Sequence, residues 1–171
     1  MLNLGRKYQM RRQFRTTTTI SGFTLVELLT VLIVTAIILT LAAPSFRDAG
    51  AKSALKTTAM DLVAAINNSR AQAVNLGTVA TLGATDGASW SNGWNMSMPA
   101  PHDTENQDFD PKANVTVTTT GGETFLDFRR DGTTSAQVTF RICHNHLTGE
   151  TGREIAINRL GRTTNQEYTC P

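Results

Sequence analysis

The run Phe23-Thr-Leu-Val-Glu-Leu-Leu-Thr-Val-Leu-Ile-Val-Thr-Ala-Ile-Ile-Leu-Thr-Leu-Ala-Ala43 constrains this chain more than any other feature. It is apolar throughout and carries one charge, Glu27. As a helix rising about 1.5 Å per residue it reaches about 30 Å, the thickness of a bilayer's hydrocarbon core. Arg6, Lys7, Arg11, Arg12 and Arg15 precede it, with no acid before Gly22. A basic flank of this kind holds an N-terminus in the cytoplasm, so everything after Ala43 is expected across the inner membrane. A cleaved secretory signal would be shorter and end at small residues, for which Leu41-Ala42-Ala43 would serve; the run is long for that. An ordinary signal anchor fits the length but has no use for Glu27, because a carboxylate at such depth is costly unless neutralised or paired. Glu27 is therefore a candidate functional residue whose partner has to be found.

That division explains the charge. The 171 residues hold sixteen Lys and Arg against fourteen Asp and Glu, a net charge of +2. Without the first 22 residues, eleven basic and fourteen acidic side chains remain, a net charge of −3. The apparent basicity is a topology signal, and the remainder has no general attraction for nucleic acid. Length and a 40% hydrophobic content fit one domain with an anchor. Two cysteines exclude a disulfide-dense scaffold and a four-thiolate zinc site.

Past Pro44 a helical stripe continues through Leu55, Ala59, Leu62, Ile66 and Ala73, widened by Val63 and Val74. Lys52, Lys56, Asp61, Asn68 and Gln72 mark the opposite face, and Gly77 is placed to end the helix. The spacing predicts one helix from Phe23 to Leu76, bent or melted at Pro44. Strands are expected at Val79–Leu82, Trp94–Met98, Asn114–Thr119, Phe125–Phe128, Gln137–Cys143 and Glu154–Asn158. Asp86-Gly87, Asn92-Gly93, Gly121-Gly122 and Asp131-Gly132 supply turns. Residues 99–112 are expected to form a loop carrying Asp103, Glu105, Asp108 and Asp110. The expected organisation is a leader at 1–22, a transmembrane helix at 23–43, its amphipathic continuation at 44–76, and a β-rich domain at 77–171.

Ser21-Gly22-Phe23-Thr24-Leu25-Val26-Glu27-Leu28-Leu29 resembles the processing site of type IV pilins and type II secretion pseudopilins. The resemblance implies cleavage by a prepilin peptidase between Gly22 and Phe23 and N-methylation of Phe23. Glu27 becomes the fifth mature residue, matching the family's glutamate, and Pro44 the twenty-second, matching a proline that loosens the helix. Cleavage exposes an amine at Phe23, and when subunits stack with an axial offset Glu27 meets a neighbour's amine. Such a pair offsets the desolvation of both charges and sets register more than it adds stability. The implied fold is α+β and pilin-like, with a long N-terminal helix on a C-terminal antiparallel sheet domain.

The later elements resemble one branch of that family. Gly93-Trp94, Phe128-Arg129-Arg130-Asp131-Gly132, Val138–Cys143, and Gly152 to Arg162 before Cys170 follow the order of the GspH/FimT minor pilins, FimT/FimU-like. This implies a minor pilin that primes or caps pilus assembly within a tip complex, without catalysis or cofactor. Its partners would be the peptidase, other minor and major pilins and the inner-membrane assembly platform. Its location would be the inner membrane and then the filament or its tip. A DNA-binding minor pilin for natural transformation and a type II secretion pseudopilin are the alternatives.

Cys143 and Cys170 are expected to pair, since the compartment is oxidising and the count even. Closing a loop of about 28 residues contributes about 3–4 kcal/mol in the chain-entropy model. Such a bond would pin a tail lacking other strong structure. His144 and His146 would share a face if their strand continued, but a metal site lacks further ligands; they are expected as exposed turn histidines. The acids at 103–110 do not have EF-hand spacing, and a solvated loop is expected. No nucleophile–base set or phosphate loop appears, so the chain is taken as a non-enzyme. DNA-binding relatives carry a Gly-Arg-x-Arg pattern in a basic tail. Here it stands as Gly161-Arg162-Thr163-Thr164, with Thr for the second arginine. Arg141, Arg153, Arg159 and Arg162 remain as a small candidate cluster for weak, salt-sensitive phosphate contact. The competing reading pairs them with Glu150, Glu154 and Glu167.

Overall fold

The computed structural model describes residues 22–102, 107–147, 149 and 151–171, the side chains at 43 and 44 apart. The expected leader through Ser21, and Asp103, Glu105 and Glu150, lie outside the described residues. In chain order the elements are α1 (Leu25–Leu76), β1 (Ala80–Ala84), a 3-10 turn (Trp90–Asn92), β2 (Trp94–Ser97), β3 (Gln107–Phe109), β4 (Val115–Thr119), β5 (Phe125–Phe128), β6 (Val138–His144), β7 (Thr151–Ile157) and β8 (Thr163–Thr169). The chain divides into two compact units between Thr40 and Leu41.

In the first unit Thr24 caps α1. Its hydroxyl accepts from the Glu27 N–H at 3.2 Å and its carbonyl from the Leu28 N–H at 3.1 Å. The hydroxyls of Thr30, Thr35 and Thr40 donate to the carbonyls of Glu27, Val31 and Ile37 at 2.9, 2.7 and 2.7 Å. Each polar side chain of the span other than Glu27 is thus satisfied inside the helix or at its cap, as an apolar medium requires. The apolar side chains are exposed all round, and the most apolar window has a mean hydropathy of 2.6 with none of it buried. One helix is therefore long and apolar enough to cross a membrane. The helix is continuous from Leu25 to Leu76, so of the bend or melting expected at Pro44 the melting does not occur. A proline deletes one N–H bond of the ladder, and the turns on either side retain theirs.

The second unit is organised by the stripe expected from the sequence. Leu55, Ala59, Leu62, Ile66 and Ala73 are buried, joined by Thr58, Ala65 and Ser69. Each large member contributes about 1.5–3 kcal/mol through burial. The small members bring the strands close to the helix. Val74 departs from expectation and stays 48% exposed. The helix ends where Gly77 takes φ 63° and the Thr78 N–H reaches the Ala73 carbonyl at 3.2 Å.

Two antiparallel sheets close over this stripe, ordered β3-β2-β1-β5 and β4-β6-β7-β8. Their inner residues alternate as strand geometry demands: Ala80 and Leu82, Trp94 and Met96, Leu126 and Phe128 in the first; Val115 and Val117, Phe140 and Ile142, Ile155 and Ile157 in the second. The 3-10 turn ties the sheets. The Ser91 hydroxyl donates to the Val117 carbonyl at 3.1 Å and accepts from its N–H at 3.0 Å. Trp90 packs edge-on against Phe140 with centroids 4.7 Å apart. The buried cluster lies between Leu55 and Ile157, so Ser45–Pro171 carries a complete core and is expected to fold without the apolar span.

Two expectations need correction. Residues 99–112 are not loop throughout, because Gln107–Phe109 forms β3 against β2. The tail before Cys170 is not structureless, because Thr163–Thr169 forms β8 along the whole of β7. Cys143 and Cys170 are joined, with Cα atoms 5.9 Å apart. The bond links the β6 end to the residue after β8, passing across β7 at Gly152. A Cβ there would collide with the Cys170 sulfur and the Ile142 carbonyl oxygen and sit 3.2 Å from the Cys143 sulfur. Gly152→Ala is therefore expected to lower the stability of Ser45–Pro171 by about 1–3 kcal/mol, read from urea unfolding with the disulfide intact.

Candidate functional site

The expected processing site sits on the N-terminal flank of α1. Gly22, Phe23 and Thr24 are outside the helix, and Phe23 is 78% exposed, so the Gly22–Phe23 peptide bond is reachable. Thr24-Leu25-Val26-Glu27 has capping-box spacing. Only the Thr24 half of the box is made, through the Glu27 N–H. The Glu27 carboxylate has no partner among the described residues.

The four arginines singled out from the sequence are not one cluster. Arg141 on β6 meets Glu154 on β7, its Nε 3.1 Å from Oε2, and its guanidinium carbon lies 4.6 Å from the Tyr168 ring centroid. Gln166 donates to the other Glu154 oxygen at 2.7 Å. The Gln166 amide first and the Arg141 guanidinium second hold the Glu154 carboxyl below its ordinary range. Arg153 neighbours Glu154 on the same strand and so faces the other way, beside Lys52, Lys56 and Glu167. Arg159 and Arg162 belong to the turn between β7 and β8.

The histidines also separate. His144, the last residue of β6, is buried rather than exposed, and its Nδ1 accepts from the His146 N–H at 3.1 Å. His146 is exposed and its Nε2 lies 3.1 Å from Asp48 on α1. Asp108 and Asp110 flank Phe109 and are exposed.

A side chain that was not singled out from the sequence joins the helix to both long loops. Arg70 donates from Nε to the Gly132 carbonyl at 3.0 Å. Gly132 and Gly161 have φ 76° and 72°, and a Cβ on Gly161 would strike the Gly132 carbonyl oxygen and come within 2.8 Å of the Arg70 Nε. The two glycine turns are in contact because both lack side chains, and the guanidinium packs where they meet. One signal was available: Arg70 is the sole charge between Leu62 and Leu76.

Residues 58–161 match the family model described as Type II transport protein GspH. Two crystal structures of the type IV minor pilin FimU from Pseudomonas aeruginosa strain PAO1 share the fold. The form in space group P21 has a TM-score of 0.59 at 23% identity, covering 70% of this chain and 97% of that one. The P65 form has a TM-score of 0.55 at 24% identity, covering 68% and 99%. No curated protein matches the sequence.

The matched span contains Arg70, Gly132 and Gly161. Arg70→Leu leaves the Gly132 carbonyl without its charged donor and should destabilise Ser45–Pro171 by about 1–3 kcal/mol in thermal or urea unfolding. Arg70→Lys should recover only part of this, since an ammonium on a flexible stem does not reproduce the flat guanidinium between the turns.

Proposed function

We propose that this chain, which belongs to the GspH family, is a minor pilin that primes or caps type IV pilus assembly within a tip complex and catalyses nothing itself. The observation that carries this is one helix with two halves of different character. Its first half is apolar on every side, begins beside an exposed Gly22–Phe23 bond, and holds a single carboxylate, Glu27, without a partner among the described residues. Its second half shares one hydrophobic core with the two β-sheets. The prepilin peptidase cuts after Gly22 and methylates Phe23. The span then moves from bilayer to filament, where side chains of neighbouring helices replace lipid around it.

In that filament the Phe23 amine of one subunit meets Glu27 of another. Attraction in a medium of low dielectric offsets the desolvation of both charges and fixes the axial step. Before assembly the chain is a single-pass inner-membrane protein with a periplasmic domain, divided as 1–22, 23–43, 44–76 and 77–171. Its partners are other minor and major pilins and the inner-membrane platform. The description of the matching family as a type II transport protein favours a second reading, a minor pseudopilin of a type II secretion system.

A clean deletion strain separates the two. Loss of surface pili, restored by the wild-type gene, is the expected result; normal pili with defective protein secretion would assign the pseudopilin role. Gly22→Ala should leave the leader attached, visible as an unshortened intact mass in cells with active peptidase. Glu27→Ala should be processed yet be largely missing from sheared pili by immunoblot, and full incorporation would refute the pairing role.

A further inference from the structure

Two loops distant in sequence are fastened together in the second unit. One joins β5 to β6 and carries Arg129 and Arg130; the other joins β7 to β8 and carries Arg159, Leu160 and Arg162. The Thr134 N–H donates to the Arg159 carbonyl at 3.0 Å and its hydroxyl to the Asn158 carbonyl at 3.1 Å. Each loop is also braced from within. Asp131 accepts from the Thr133 N–H at 2.9 Å and its hydroxyl at 2.7 Å. The Asn158 side-chain oxygen accepts from the N–H groups of Leu160 and Arg162, both at 3.0 Å. Arg70 supports both loops through Gly132 and Gly161.

These joined loops present four arginines and one exposed leucine. Arg129, Arg130, Arg159 and Arg162 are all exposed, and among the described residues none has a carboxylate within ion-pair distance. Asp131 is the one acid within the two loops. Leu160 is 62% exposed at the apex of its turn, and Val74 on α1 lies 3.3 Å from where a Gly132 Cβ would be. Leaving the leucine in water forgoes the gain that burial would bring. Backbone phosphates would use the arginines but have no use for a leucine held out between Arg159 and Arg162 in the same turn. Guanidinium groups around an apolar anchor suit a protein surface, where carboxylates take forked hydrogen bonds and a recess takes the side chain.

We infer that the joined loops Arg129–Thr133 and Asn158–Arg162 form a docking surface for another pilin subunit that presents carboxylates around an apolar recess. Leu160 seats in the recess, and Arg129, Arg130, Arg159 and Arg162 meet the carboxylates. The inference rests on the assembly reading only for the partner being a pilin.

The test is photo-crosslinking in intact cells, with the full chain carrying benzoylphenylalanine at Leu160. The expected result is an adduct with a second pilin whose crosslinked peptide contains at least two Asp or Glu residues. Arg130→Glu, Arg159→Glu and Arg162→Glu together should reduce the adduct by about tenfold or more. Lys56→Glu should not. Reversing the partner's carboxylates to Arg should restore the adduct in the triple variant. Thermal unfolding of Ser45–Pro171 carrying the triple substitution, and of Leu160→Asp as a second variant, separates lost docking from lost folding. Absence of a pilin adduct, an adduct indifferent to charge reversal, or a nuclease-sensitive adduct with DNA overturns the inference. An adduct of the expected kind in a strain whose deletion mutant still makes normal pili would overturn the assembly reading and leave the docking surface standing.

Discussion

Both sheets depend on one surface, the buried stripe of α1 from Leu55 to Ala73. Neither four-stranded sheet covers its own inner face, and the residues that would otherwise meet water are Leu82, Trp94, Met96, Phe128, Phe140, Ile142 and Ile155. The helix supplies the missing wall. Hydrogen bonds then fix the strands upon it: Asn68 to Gln107 at 2.7 Å beside β3, the Lys112 N–H to the Thr58 hydroxyl at 3.0 Å, and Arg70 to Gly132 at 3.0 Å. Small residues are central to this. Ala59, Ala65, Ser69 and Ala73 let the strands approach, and Ser69 turns its hydroxyl back to the Ala65 carbonyl at 2.8 Å, so its own buried hydroxyl is paired.

Elements driven by burial were legible from the sequence. The apolar span, the helical stripe with its Gly77 terminator, and the strands alternating around Trp94, Phe140 and Ile155 all announce themselves through hydrophobic period. Glu27 stands out in the sequence for a different reason, because a carboxylate in an apolar run is conspicuous by its cost. β3 and β8 were not legible. Thr-Thr-Asn-Gln-Glu-Tyr-Thr has no apolar face, because an edge strand buries little and is held by main-chain bonds to β7 and by the disulfide beyond it. Pro44 does not melt the helix, since a proline's local penalty does not dictate the outcome inside a long, cooperative helix. Arg70 was missed because its value lies in two glycine turns far along the chain, and no local pattern records that meeting.

Charge is arranged with similar economy of place. The first 22 residues hold five of the sixteen basic residues, and the eleven that remain face fourteen acids. Arg141 is absorbed by Glu154 and Tyr168, whereas the arginines of the two joined loops are left outward. Carboxylates elsewhere serve the fold at short range. Asp86 accepts from the Ser89 and Ala88 N–H groups and from Asn92, and these bonds, the Ser89 one foremost, hold its carboxyl down at about 2. Because that value is depressed, its stabilising contribution is complete above the ordinary carboxylate range and is lost only as pH falls toward 2. The turn between β1 and β2 therefore withstands mild acid.

Glu27 follows the opposite logic. The hydroxyls of Thr24, Thr30, Thr35 and Thr40 find oxygen partners or N–H groups within their own helix, so the span carries no other unmet polar demand. A helix can satisfy a hydroxyl through the carbonyl one turn back, but it offers no spare donor to a carboxylate beyond its first turn. Glu27 is the third residue of the helix, where the free N–H groups and the positive end of the helix dipole soften its cost without cancelling it. A helix alone in lipid keeps that debt, and one stacked as we propose, beside the Phe23 amine of a neighbour, would not. The same apolar surface would slide freely along any similar helix, so in the assembly we propose the single unmet charge would make one axial step better than the rest.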